Sequence, residues 1–192
     1  MADALSRGDA SNVVLIGCHT FTALEDLPAV ENNLAGLRNM LTDPEVWGVP
    51  KDRIAVLAQP SNADDVLGVV RQAADSASDT LVVYYAGHGL TDPLSWELYL
   101  ALSGSRIGDI LVHSALRFEY LRRVIRNSGA KKKVVLSVAG PCRLRWTAAP
   151  RTSLAKLSSK VPTSSRLLAR RLWLSLSLGR SSLRLLVNCS AL

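Results

Sequence analysis

Leu81-Val82-Val83-Tyr84-Tyr85-Ala86-Gly87-His88-Gly89 is the stretch that decides the fold. An apolar, β-branched and aromatic run without polar alternation predicts a strand buried on both faces, as in a sheet with helices on either side. Glycines on both sides of His88 predict a sharp turn and close approach of the backbone to a ligand. His88 is thus expected at the carboxyl end of a strand, where open α/β sheets hold their ligands. An imidazole in that place serves as a general base, and the Gly89 amide beside it is positioned to donate to an oxyanion. The plainer alternative is a core histidine that closes a strand.

Working outward, Val13-Val14-Leu15-Ile16-Gly17 predicts a first buried strand. Val30, Leu34, Leu37 and Leu41 recur at helical spacing, giving a helix over residues 31–41 that Pro44 and Gly48 bring to an end. Ile54-Ala55-Val56-Leu57 is a second strand, and Ser61 with Asp64 signals the start of a helix that turns Val66, Val69, Val70 and Ala73 inward. This alternation of strand and helix implies a parallel sheet with right-handed crossovers. Beyond His88, residues 97–102 suggest a short accessory strand. Ser114 opens a helix bearing Leu116, Tyr120, Leu121, Val124 and Ile125 on one face, with Gly129 as its stop. Lys131-Lys132-Lys133 then lead into Val134-Val135-Leu136, a fourth buried strand. Three solvated charges at the start of a strand explain the lysines more simply than a phosphate site does.

The Tyr84-Tyr85-Ala86-Gly87-His88-Gly89 run resembles the histidine motif of the caspase and metacaspase family of cysteine peptidases. Pro28-Ala29-Val30-Glu31-Asn32-Asn33-Leu34 resembles the opening of that family's first helix, and the resemblance spans residues 12–136, roughly two thirds of the chain. It implies a three-layer α/β fold with a mainly parallel sheet, strand order 2-1-3-4, and a site at the carboxyl ends of strands three and four. The implied activity is endopeptidase cleavage of a peptide or protein substrate. His88 would take the thiol proton, the thiolate would form an acyl-enzyme, and the Gly89 amide would bind the oxyanion.

The nucleophile is missing from that pattern. In the family the fourth strand leads into an acidic residue and the reactive cysteine, about 50 residues after the histidine. At that separation this chain has Val138, Ala139 and Gly140, none of which can attack a carbonyl. Cys142 is a weak substitute, because it lies past Pro141 and beyond the expected strand end. Cys18 follows the first strand and reads as a small buried hydrophobe. The composition also changes here. Residues 1–136 carry 13 basic and all 16 acidic residues, whereas residues 137–192 carry 10 basic residues and no acid. The domain is accordingly placed at residues 12–136, with residues 137–192 as a mobile basic tail in which the fold becomes incomplete or irregular. Ser, Arg, Leu, Ala and Pro dominate that tail, as they do when a GC-rich coding sequence is read in a shifted frame. Codons for Val-Ala-Gly-Pro read one step out can spell Cys-Trp-Ser. Within the tail only residues 172–178 alternate as a strand does.

A net charge of +7 and an apolar content of 48% describe ordinary globular material with a basic tail. Three cysteines, Cys18, Cys142 and Cys189, make no disulfide framework, so a reducing, cytoplasmic setting is expected. No metal site is expected, since Cys18 and His19 would point to opposite faces of an extended strand. No cofactor is expected either. Arg170, Arg171, Arg180 and Arg184 interrupt the best apolar stretch, so no membrane span is expected. Three functions fit these residues: a caspase-like endopeptidase impaired in this chain, a binding module for peptides or protein partners, and a nucleic-acid or membrane-surface binder acting through the tail. No specific nucleic acid is implied. Self-association is expected if strand four is left as an exposed sheet edge.

Overall fold

The computed structural model describes residues 6–92, 95–106, 114–141, 171–178 and 181–188. Its main sheet has six strands: β1 (Asn12–Gly17), β2 (Ile54–Ala58), β3 (Thr80–Thr91), β4 (Leu98–Ala101), β5 (Ala115–Arg117) and β6 (Lys132–Pro141). Among the described residues three α-helices accompany them: α1 (Ala29–Thr42), α2 (Ala63–Ser76) and α3 (Phe118–Arg126).

Four strands run parallel in the order β2-β1-β3-β6, which is the order expected from the sequence. β1 is buried over its whole length because both of its edges and both of its faces are covered. Its side chains alternate between two cores. Val13 and Leu15 meet Val30 and Leu34 of α1 together with Val82 and Tyr84 of β3. Val14 and Ile16 join Val66 and Val70 of α2 and Leu121 and Ile125 of α3. The architecture is therefore helix, sheet, helices in three layers. Gly17 lets α1 come close, since a Cβ there would lie 2.9 Å from Val30 Cγ1.

β3 changes neighbours along its length. Leu81 to Ala86 pair with β1, and Gly89, Leu90 and Thr91 pair antiparallel with β4, which in turn pairs with β5. This makes the sheet mixed.

Several local expectations are corrected. Helix α2 is capped by Asn62, whose side chain accepts the Asp64 amide at 2.9 Å, and not by Ser61. Leu116 sits in β5 opposite Leu100 and not on a helix, while Tyr120 is 47% exposed and so is no core residue. β6 continues past Leu136 to Pro141, because β3 offers an unbroken ladder from Thr80 to Gly89. Lys132 and Lys133 are accordingly inside the strand. Two further strands, β7 (Arg171–Leu178) and β8 (Ser181–Asn188), form an antiparallel pair that includes the alternating 172–178 run. Residues 142–170, with Cys142, lie outside the described residues, as do His113 and Cys189. No helix among the described residues is long and apolar enough to cross a membrane.

Candidate functional site

His88 is 5% exposed and lies near the end of β3. Its position is set from both sides of the ring. Phe21, from the loop between β1 and α1, packs against the imidazole with centroids 4.9 Å apart and planes at 53°. From the same loop the Glu25 carbonyl oxygen lies 2.7 Å from Nε2. A carbonyl can only accept, so Nε2 carries the proton and, in the neutral ring, Nδ1 carries the lone pair. Nδ1 is buried with no hydrogen-bond partner among the described residues. An imidazole oriented through one nitrogen and carrying a lone pair on the other can accept a proton there.

The backbone at His88 is fixed by Tyr85. The Tyr85 ring is 1% exposed, and its hydroxyl stands 2.8 Å from the Ala101 carbonyl and 3.0 Å from that of His88. With one proton and two acceptors, it bridges β3 to the end of β4. Burial pushes the Tyr85 hydroxyl pKa well above its ordinary value, so it stays a donor. Gly87 is required by this ring and not by a turn: a Cβ there would collide with the Tyr85 hydroxyl. The chain does not turn at the glycines. Gly89 lies within β3, half-buried, opposite Leu100 on one side and Pro141 on the other.

The register across β3 and β6 places Ala86 opposite Val138, Gly87 opposite Ala139 and His88 opposite Gly140. Over these residues β6 brings no thiol opposite His88. Cys18 is fully buried in the core that contains Val14 and Ile16. Its Sγ lies 4.0 Å from the Pro60 carbonyl, and burial pushes its pKa up to about 12. A thiol so far above the usual range is not a nucleophile near neutral pH. His19 is half-buried, with Nδ1 3.1 Å from the Thr20 hydroxyl. Among the described residues no cluster of three His, Cys, Asp or Glu side chains is arranged to hold a metal.

His88 is legible in the sequence, whereas Phe21, Glu25, Tyr85 and Gln59, whose Oε1 accepts from the His19 and Thr20 amides, are not. The Glu25 contribution is a backbone carbonyl, which any residue carries, so no side-chain pattern could have marked it. Compared with protein-family models and with curated proteins, the chain matches none.

Proposed function

We propose that this chain is a caspase-like cysteine peptidase domain that retains an oriented base and lacks the nucleophile, and is therefore catalytically silent. The observation that carries the reading is the His88 imidazole, held at Nε2 by the Glu25 carbonyl with Nδ1 unpartnered, beside a strand that presents Val138, Ala139 and Gly140. In a chain with a thiol at that edge, Nδ1 takes the S–H proton and the thiolate attacks the peptide carbonyl; the C–N bond then breaks, the amine leaves with the proton that the imidazolium returns, and the acyl-enzyme left behind is hydrolysed by water. The Gly89 amide is flanked by strands on both sides, so the proposal rests on His88.

The test is hydrolysis of arginyl, lysyl and aspartyl fluorogenic peptides. The chain as it stands should give no turnover above background. Val138→Cys, Ala139→Cys and Gly140→Cys, made singly, should include one variant with turnover that His88→Ala abolishes. Turnover by the parent chain that Cys142→Ala removes would overturn the reading, as would restored turnover that survives His88→Ala.

A second reading, a binding module that takes up an extended peptide, is favoured by β6. Among the described residues it is hydrogen-bonded to β3 alone, with β8 close by but not paired to it, and Val134 and Val138 are 37% and 38% exposed. Addition of a strand to such an edge supplies affinity through main-chain hydrogen bonds.

A further inference from the structure

We infer that Gln59 is the positioning residue of the His88 site. The inference rests on the reading of His88 as the base and names what aims it. Gln59 follows β2 and has φ of +57°, a left-handed conformation that residues other than glycine seldom adopt. Its own amide donates to the Gly17 carbonyl at 2.8 Å, and the strained backbone turns its side chain towards the loop that follows β1. There the carboxamide uses both of its ends. Oε1 accepts from the His19 and Thr20 amides, and Nε2 donates to the Thr20 carbonyl at 2.8 Å.

Residues 19–27 form a closed unit. The Leu27 amide donates to the His19 carbonyl at 2.6 Å, and the Phe21 amide donates to Asp26 Oδ1 at 2.9 Å. Both groups that touch the imidazole, the Phe21 ring and the Glu25 carbonyl, belong to this unit. The unit keeps its shape through its own hydrogen bonds, and its placement on the sheet comes from outside. Gln59 ties it to the end of β2, and the Thr22 amide ties it to the Ser103 carbonyl at 3.1 Å. Phe21, Leu24 and Leu27 also pack into the core, so removal of the carboxamide leaves the loop intact and in place but loosens its seat, and the carbonyl and the ring shift on His88 together. Glutamate in its place would accept from both amides but could not donate to Thr20.

The imidazole itself is the readout. In uniformly 15N-labelled full chain, long-range proton–nitrogen correlation reports which ring nitrogen carries the proton, and His88→Gln identifies the signal. The parent should show His88 with its proton on Nε2 and slow exchange of that proton with water. Gln59→Gly removes the side chain and also relieves the left-handed backbone, so the fold holds. It should average the two ring nitrogens and speed the exchange roughly tenfold or more. Gln59→Glu should fall between the two. A Gln59→Gly chain with the parent's signature overturns the inference, and so does a parent whose His88 proton sits on Nδ1. If the signature moves as expected but no thiol variant hydrolyses peptide, positioning stands and the peptidase reading fails. If a thiol variant is active and Gln59→Gly alters neither its kcat nor the His88 signature, the positioning role fails and the peptidase reading stands.

Discussion

Gly87→Ala should destabilise the domain through one identifiable collision. A Cβ at position 87 would press on the Tyr85 hydroxyl and come within 2.8 Å of Cζ, well inside van der Waals contact. The ring cannot swing away, because it is 1% exposed and moored to the Ala101 carbonyl. Forcing an extra methyl into a packed site costs about 1–3 kcal/mol. Tyr85→Phe, made alone, removes the colliding oxygen together with the hydrogen bond that the hydroxyl donates, at about 0.5–1.5 kcal/mol. The two changes share one atom, so they cannot be additive. With the oxygen gone the tightest contact disappears, while Cζ at 2.8 Å and Cε1 at 3.4 Å still press on the new methyl, and the double variant should be more stable than the sum of the singles by about 0.5–1.5 kcal/mol. Urea titration followed by circular dichroism measures this, since a loss of about 2 kcal/mol moves the midpoint by about 1 M for a slope near 2 kcal/mol per M. Additivity within about 0.3 kcal/mol, or a neutral Gly87→Ala, would refute the argument that Tyr85 dictates the glycine.

Cys18 should resist iodoacetamide near pH 8 in the folded chain and react only on unfolding, as mass spectrometry of the labelled peptide would show. Its folded pKa, about 12, lies above the unfolded value of 9.0, so the unfolded chain loses the proton first and stability falls as pH rises between those values, by up to ~1.4 kcal/mol per pH unit. Cys18→Ala should remove that part of the alkaline slope, and an unchanged slope would count against the assignment. Asn12→Ala should cost about 2–3 kcal/mol in the same urea assay, because Nδ2 donates to the Ala73 carbonyl at 2.8 Å and to the Ser76 hydroxyl at 2.6 Å, tying β1 to the last turn of α2. A loss below about 0.5 kcal/mol would show that these bonds are exchanged for water without penalty.

The layered sheet was legible because strands buried on both faces write themselves as continuous apolar runs, as in Val13 to Ile16 and Leu81 to Tyr85. From sequence β6 ends at Leu136, because Ser137 to Pro141 carries little strand preference of its own. The long β3 beside it imposes the extended form, a tertiary influence that local composition does not record. Leu116 stands at helical spacing from Tyr120 and so reads as helix, yet its partner Leu100 holds it in a sheet. At the site, His88 was legible from the motif, whereas its partners come from a loop whose path depends on Gln59 and the Leu27 amide. The glycines suggested a turn because glycine is the usual turn residue. Here Gly87 serves the packing of Tyr85.

The change of partners along β3 has a consequence for the order of synthesis. β1, β2 and the first part of β3 need nothing beyond Ala86 to pair with one another. The other flank of β3 is closed only by β6, whose last residue is about 50 residues beyond Thr91. At ribosomal rates that interval is about 3–10 s. During it the nascent chain carries an unfinished strand edge directly beside His88, open to chaperones and to other emerging chains.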